Sequence, residues 1–239
     1  MVPAPTIVFD LDGTLIDTAP DLIDTLNVVL TREGLRPLGY AEARNLIGGG
    51  ARRMIEAGLH AEGRALADTV VDRMFDDFIA HYGEHVADRS RPFPGLEAAL
   101  DRLSAEGYRF AVCTNKLEGL SRRLLDALGL TSRFEAICGQ DTFGIQKPDP
   151  EILLRTISQA GGELARSIMI GDSGTDVATA RAAGTPVVAV DFGYSDPPVA
   201  TLGPDRLISH FDALPDAVRN LLPHPQGASS LRNSTMGRG

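Results

Sequence analysis

The segment TIVFDLDGT, residues 6–14, joins an apolar, β-branched run to a turn that carries two aspartates. A run that is apolar at nearly every position is typical of a strand covered on both faces, as in a parallel sheet. The run SIMIGD at 167–172 has the same character and also ends in an aspartate. Similar short runs bounded by loop residues predict further strands at 108–113, 134–138, 186–190 and 206–209.

Helical patterns alternate with these strands in the second half of the chain. In 95–107 and 118–129 apolar side chains recur on one helical face, and Gly129 would end the second helix. Segments 150–160 and 175–183 continue the alternation. Alternating strands and helices predict an α/β fold built on an open sheet.

One segment interrupts the alternation, because residues 17–85 carry helical patterns and no strand pattern. We expect amphipathic helices that pack on each other at 20–32, at 41–47, from just after Gly50, and at 64–85. The predicted division is residues 1–16 and 88–223 for an α/β core, 17–87 for an inserted helical domain, and 224–239 for a polar, disordered tail.

Composition excludes several classes of protein. Of the 239 residues, 43% are apolar and 23% are charged, which excludes a largely disordered chain. The net charge of −9 has the wrong sign for a protein that binds nucleic acid through its phosphates. No apolar run approaches the ~20 residues that cross a bilayer, and the N-terminal sequence lacks the pattern of a signal peptide.

The cysteine content points to a reducing compartment. Only Cys113 and Cys138 are present, so neither a disulfide framework nor a thiolate zinc site is expected. We therefore expect a cytoplasmic protein that has no nucleic-acid and no membrane partner.

Four aspartates lie at or just beyond the ends of two predicted strands: Asp10, Asp12, Asp172 and Asp176. In open α/β sheets ligands bind outside the carboxyl ends of the strands, so these carboxylates are expected to meet there. Each one alone is equally compatible with a helix cap or a turn. Together they form an all-oxygen group, and such ligands suit magnesium, which is commonly held by a few carboxylates and a substrate phosphate.

Other polar groups fall at the same edge of the predicted sheet. Thr114, Asn115 and Lys116 follow the strand at 108–113, and their hydroxyl and amide groups are suited to phosphoryl oxygens. Lys147 lies in a proline-rich loop that would hold its ammonium at a fixed point. Thr114 is also compatible with capping the next helix, and Lys147 with a solvated surface position.

Two weaker signals concern the inserted helices. His81 and His85 lie one helical turn apart, but a zinc site would need further ligands, so a solvated helix face is expected. The glycines at 48–50 precede Arg52 and Arg53 and predict either an anion site at a helix N-terminus or a flexible turn.

The motifs DLDGT (10–14), TN (114–115), KP (147–148) and GDSGTD (171–176) resemble, in the same order, the four motifs of the haloacid dehalogenase superfamily. The resemblance covers the chain to about residue 222 and implies a Rossmann-like parallel sheet core with an inserted all-helical cap. It also implies a magnesium-dependent hydrolase that works through an aspartyl-phosphate.

The same resemblance implies a role for each motif residue. Asp10 is expected to be the nucleophile and a metal ligand, and Asp12 the general acid and base, with a main-chain carbonyl that also reaches the metal. Thr114 and Lys147 are expected to bind the phosphoryl group. Asp172 is expected to be a metal ligand, and Asp176 is expected to support it. Dehalogenases of the superfamily lack an acid at the second position, because a halide needs no proton to leave. Asp12 therefore favours hydrolysis of phosphate esters.

Within the superfamily, segments 9–22 and 113–116 are most similar to the phosphoglycolate phosphatases. Sugar-phosphate phosphatases, phosphoglucomutases and pyrophosphatases share much of the same pattern and stay open as alternatives. The resemblance implies a small phosphorylated metabolite as substrate, and Arg52 or Lys116 would pair with its carboxylate while Asn115 contributes its amide. A monomer or a homodimer is expected.

Overall fold

The computed structural model describes residues 3–44, 46–47, 50–195 and 197–222, so the predicted tail and Gly48 and Gly49 lie outside the described residues. In the described part of the chain the strands are β1 (Thr6–Phe9), β2 (Ile16–Asp17), β3 (Arg91–Pro92), β4 (Arg109–Cys113), β5 (Ala136–Cys138), β6 (Ser167–Gly171), β7 (Val187–Val190) and β8 (Arg206–Ile208). Six of these described strands form one sheet in the order β5-β4-β1-β6-β7-β8, and every neighbouring pair is parallel. The predicted α/β fold class is confirmed.

The helices of the described residues are α1 (Ala19–Arg32), α2 (Tyr40–Arg44), α3 (Ala51–Ala61), α4 (Asp68–Glu84), α5 (Leu96–Ala105), α6 (Glu118–Ala127), α7 (Pro150–Gln159), α8 (Gly174–Ala183) and α9 (Leu214–Leu221). Both faces of the sheet are covered, as its apolar strands predict. Ile7 and Phe9 of β1 pack into a cluster that includes α5, α6 and α9, whereas Val8 packs into a second cluster with α7 and α8.

The register of the sheet brings distant segments to one edge. Phe9, the last residue of β1, lies opposite Val112 of β4 and Ile170 of β6. The residues that follow each strand therefore emerge side by side at the carboxyl edge. This register is what gathers the predicted site residues.

Helices α1–α4 lie between β2 and β3 in the chain, and β2 pairs antiparallel with β3 through Ile16↔Pro92 and Asp17↔Arg91. Neither two-residue strand was predicted, because so short a ribbon leaves no periodic pattern. The inserted helices contribute to the same buried cluster as one face of the sheet, with Leu26, Leu30, Met54, Ile55, Met74 and Phe78. The division into core and helical domain at 17 and 87 stays a prediction.

The predicted helix at 64–85 begins later than expected, because the backbone at Ala67 is extended and α4 starts at Asp68. Cys113 and Cys138 are buried free thiols. Within the described ranges, none of the helices has both the length and the apolar character needed to cross a bilayer.

Candidate active site

The strand ladder extends one residue past the strand ends and fixes the first site residues. The Asp10 amide donates to the Ile170 carbonyl at 2.9 Å, and the Thr114 amide donates to the Cys138 carbonyl at 3.0 Å. Asp10 and Thr114 are both buried. Because backbone bonds hold them, both residues are presented by the rigid sheet rather than by a loose loop.

A tight turn follows β1 and depends on Gly13. Its φ of +83° lies in the left-handed region, and a Cβ at this position would stand 2.5 Å from Asp172 Oδ2. The turn directs the Thr14 hydroxyl to Asp172 Oδ1 at 3.0 Å. The DLDGT motif therefore provides two acids, and its glycine and threonine make room for and orient a third.

Three carboxylates come together at the sheet edge. One oxygen each from Asp10, Asp172 and Asp176 lies within 4.8 Å of the others, and all three residues are buried. Burial, opposed by the charge of Lys147, raises the pKa of Asp10 to about 6. Burial and the neighbouring charges of Asp176 and Asp10 raise the pKa of Asp172 to about 8. This crowding of hard oxygen donors fits a divalent cation such as Mg²⁺, which would relieve the repulsion.

Lys147 is the positive centre of this group. Only 4% of the residue is exposed, which excludes the solvated alternative, and its Nζ lies 2.8 Å from Asp10 Oδ1 and 2.7 Å from Asp176 Oδ1. The Asn115 side chain holds the lysine in place, since its Oδ1 accepts from the Lys147 amide at 2.8 Å and its Nδ2 donates to the Lys147 carbonyl at 3.1 Å. Asn115 therefore contacts the backbone of Lys147 with both ends of its amide.

Asp176 organises the loop that follows β6. Its Oδ2 accepts from the Ser173 hydroxyl at 2.7 Å and from the amides of Ser173 at 3.1 Å and Asp172 at 3.2 Å. The Ser173 side chain in turn accepts from the Asp176 amide, which completes a capping box at the start of α8. The carboxylate thus fixes both the loop that carries Asp172 and the ammonium of Lys147.

Asp12 lies apart from the three clustered carboxylates and has its own partners. Its oxygens accept from Lys116 Nζ at 2.8 and 2.9 Å and from the Thr18 hydroxyl at 2.7 Å. Lys116 also lies over the ring of Tyr82 on α4, 4.5 Å from the centroid. Burial by itself would lower the pKa of Lys116, but the charge of Asp12 and the proximity of Tyr82 outweigh it and raise that pKa, so the lysine stays charged.

The segment 192–194 connects the site to the inserted helices. The Tyr194 amide donates to Asp172 Oδ2 at 2.7 Å, while its hydroxyl donates to Asp17 Oδ1 at 2.6 Å and accepts from the Ala19 amide at 3.0 Å. Arg44 on α2 donates to the carbonyls of Phe192 and Gly193. One short loop therefore contacts the acidic cluster, the junction before α1, and α2.

A cavity lies between the sheet edge and the inserted helices. On the sheet side the lining is mostly polar and is formed by Asp10, Asp12, Thr114, Asn115, Lys116, Gln140, Lys147, Ser173 and Thr175, together with Leu117 and Leu120. Apart from Tyr82, the described side chains on the helical side are apolar: Leu22, Ile47, Ala51, Met54, Phe75, Phe78 and Ile79. The cavity therefore has charged residues on its sheet side and apolar residues on its helical side, which we call the roof.

Arg52 does not join the other predicted site residues. Its side chain is 46% exposed and pairs with Asp72 of α4, and the residue is not among those that line the cavity. The apolar residues of the same helix, such as Met54, face the cavity instead, because Arg52 lies on the outer face of α3.

His81 and His85 lie on α4 with their rings 4.4 Å apart, and His85 Nδ1 is 2.8 Å from Asp88 Oδ2. Among the described residues, the acidic cluster of Asp10, Asp172 and Asp176 is the one group of three potential metal ligands that lie within 4.8 Å of one another.

Several residues that shape the site have no recognisable signal in the sequence. Thr18 and Tyr194 act on Asp12 and Asp172 from other segments, and only the fold reveals these pairings. Ser173 carried a weak signal, because a serine three residues before an acid is typical of a capping box. Tyr82 stands in an apolar stripe with steps of four, where its hydroxyl gives no hint of a role in the cavity.

The family of the chain follows from comparison with known proteins. A model of the family described as haloacid dehalogenase-like hydrolase matches residues 7–190. The chain belongs to the haloacid dehalogenase-like hydrolase family, as its four motifs predict. It is a phosphoric monoester hydrolase, which confirms the predicted kind of enzyme.

Individual relatives agree with this class. The chain is 52% identical over 210 residues to the phosphoglycolate phosphatase of Mesorhizobium japonicum, covering 88% of this chain and 92% of that protein. It is 45% identical over 215 residues to the phosphoglycolate phosphatase of Agrobacterium fabrum, covering 90% and 92%. A crystal structure of a predicted phosphoglycolate phosphatase from Haemophilus somnus superposes with a TM-score of 0.84 at 28% identity, covering 91% of this chain and 99% of that one. The predicted similarity to phosphoglycolate phosphatases is confirmed.

Proposed function

We propose that this protein is a magnesium-dependent phosphatase that hydrolyses 2-phosphoglycolate through an aspartyl-phosphate on Asp10. The observation that carries the proposal is the buried Asp10 carboxylate, held 2.8 Å from the Lys147 ammonium and clustered with Asp172 and Asp176. The relatives named phosphoglycolate phosphatase, at 52% and 45% identity, support the choice of substrate.

The carboxylates of Asp10 and Asp172 would hold the metal together with the main-chain carbonyl of Asp12, and Asp176 would support them. Bound Mg²⁺ would supply positive charge against the carboxylates and the incoming phosphate. The donor set supports this assignment, because it is built of hard oxygen ligands and contains no sulfur or imidazole.

The residues of the chain suit a two-step displacement. An Asp10 oxygen attacks phosphorus and the ester P–O bond breaks, while Asp12 donates a proton to the leaving glycolate oxygen. Water then attacks the phosphorus of the aspartyl-phosphate, Asp12 takes up its proton, and Asp10 is released with free phosphate. The Thr114 hydroxyl and the Lys147 ammonium hold the phosphoryl oxygens, where they oppose the charge of the transition state.

The lining of the cavity supports a small acid over a sugar phosphate. Apart from Tyr82, the described side chains of its helical side are apolar, so the hydroxyl groups of a hexose would be buried there without partners. Lys116 on the sheet side provides a charged partner for one carboxylate. Sugar-phosphate phosphatase and phosphoglucomutase activities are therefore the less favoured alternatives. We also propose that α1–α4 form the cap over this cavity.

The direct test is turnover of 2-phosphoglycolate by the purified protein. With Mg²⁺ we expect release of phosphate and glycolate, and with EDTA no turnover. Because the metal would relieve repulsion in the acidic cluster, Mg²⁺ should also raise the thermal midpoint of the wild type and should do so less in Asp172→Asn. Full activity in EDTA would contradict the metal assignment, and formation of an isomer from glucose 1-phosphate without free phosphate would indicate a mutase.

Arg52→Ala is expected to leave KM for 2-phosphoglycolate within about twofold of the wild type, because an exposed ion pair outside the cavity contributes little. Steady-state kinetics of the variant give the answer. Loss of one charged contact with the substrate would raise KM about tenfold. A rise of that size in Arg52→Ala would show that Arg52 binds the substrate after all.

A further inference from the structure

Tyr82, a residue of α4 that lines the cavity, carries a buried hydroxyl that no contact described so far explains. Tyr82 is completely buried, and its hydroxyl donates to no acceptor among the described residues, while the Lys116 ammonium lies over the same ring. Buried hydroxyls in folded proteins are nearly always paired, so an orphan of this kind calls for a partner that arrives from outside the chain. Burial raises the pKa of Tyr82 to about 12, which leaves the phenol protonated and able to donate.

The surroundings of this hydroxyl define the chemistry of that partner. Tyr82 lines the cavity, and Lys116 Nζ lies over its ring. Of the two lysines in the described lining, Lys147 is bound to Asp10 and Asp176, whereas Lys116 is bound to Asp12 and is the cation that lies beside Tyr82. An ammonium and a phenol on two neighbouring residues of the cavity lining would together recognise a carboxylate, because one supplies the charge and the other a hydrogen bond.

The position of Lys116 also limits the length of the ligand. Its ammonium is 2.8 Å from Asp12, the residue that would protonate the leaving oxygen of the ester. A carboxylate that reaches Lys116 must therefore lie only a few bonds from that oxygen, as in a phosphorylated two-carbon acid.

We propose that Tyr82 is a specificity-determining residue whose hydroxyl donates a hydrogen bond to the carboxylate of the substrate, while Lys116 pairs with the same group. This proposal rests on the proposed function. It adds that Tyr82 on α4, one of the inserted helices, recognises the carboxylate of the substrate. The remaining roof is apolar and would exclude other polar substituents.

The test compares 2-phosphoglycolate with ethyl phosphate, which has the same two-carbon length and no carboxylate. For each enzyme the ratio of kcat/KM for the two esters is measured in the presence of Mg²⁺. Tyr82→Phe is expected to lower this ratio about tenfold, mainly through a higher KM for 2-phosphoglycolate, because one hydrogen bond to a charged group is lost. The thermal midpoint should stay the same or rise, since the variant removes a hydroxyl that has no partner in the free protein.

Tyr108→Phe is the matched control. Tyr108 is buried and donates to the Leu222 carbonyl at 2.9 Å, but it precedes β4 and so lies at the opposite edge of the sheet. Its removal should lower stability and leave the ratio unchanged. The proposal would be overturned if Tyr82→Phe left the ratio of the two kcat/KM values unchanged, even if both values fell by the same factor. The proposed function would still stand in that case. A wild type that does not hydrolyse 2-phosphoglycolate would overturn both.

Discussion

Asp10→Asn is expected to lower kcat for phosphate ester hydrolysis by roughly 10⁴-fold or more, because the reaction loses its nucleophile and not merely a supporting contact. The amide is nearly the same size as the carboxylate and cannot attack phosphorus. Lys147 keeps its contact with Asp176 at 2.7 Å, so the buried ammonium retains a counter-charge and the fold should survive. The measurement is phosphate release with Mg²⁺, together with a thermal unfolding curve.

Acid quenching during turnover gives a second readout of the same prediction. The wild type should carry one phosphoryl group on the peptide that contains Asp10, and Asp10→Asn should carry none. Asp126→Asn, an exposed change on α6, is the matched control and should keep wild-type activity. Residual activity of Asp10→Asn within about tenfold of the wild type would remove Asp10 from its role as nucleophile, since loss of a nucleophile costs far more.

Lys147→Met is expected to damage both activity and stability. The methionine has a similar volume, but it leaves the buried carboxylates of Asp10 and Asp176 without their shared counter-charge. Removing one partner of a buried ion pair typically costs about 3–5 kcal/mol in the free energy of unfolding. Lys147 also opposes the upward shift of the Asp10 pKa, so in its absence that pKa should rise further and less of the nucleophile would be ionised at neutral pH.

Urea unfolding in EDTA measures the stability part of this prediction, and the same experiment in Mg²⁺ shows whether a divalent cation replaces some of the missing charge. The control is Arg155→Met, which removes a cation from an exposed pair with Glu151. That change should cost at most about 1 kcal/mol, because exposed ion pairs contribute little. A Lys147→Met protein as stable and as active as this control would contradict the view that Lys147 holds the site together.

Much of the fold follows from the sequence because the central strands are strongly apolar. The predicted strand at 167–172 corresponds to β6 at Ser167–Gly171, and the other long strands agree to within two residues at either end. The sequence did not predict the two-residue strands β2 and β3, because strands this short are defined by their pairing partner and not by a local pattern. The start of α4 was placed too early, because residues 64–67 contain helix-forming types yet take non-helical conformations.

The site was partly predictable for a different reason. Strand ends of a parallel sheet meet at one edge, so an acid that follows an apolar run can be assigned to the site from sequence alone. Asp10, Asp172 and Asp176 come together as that reasoning expects. The surroundings were not predictable, because Lys116 and Thr18 reach Asp12 from segments whose packing no local pattern encodes. The roles assigned to these residues stay predictions for the experiments above.

The loop at 192–194 has a consequence for protein engineering. Tyr194 contacts Asp172 through its amide, and Asp17 and Ala19 through its hydroxyl. This one residue therefore links the acidic cluster to the segment that leads into the inserted helices. A chimera that takes α1–α4 from a relative would keep Asp17 and the contact of the Tyr194 amide with the acidic cluster, but it would replace Arg44, which donates to the Phe192 and Gly193 carbonyls. The transplanted helices must therefore bring a donor in place of Arg44 and a residue with a free backbone amide at position 19, or the host loop must be exchanged with the graft.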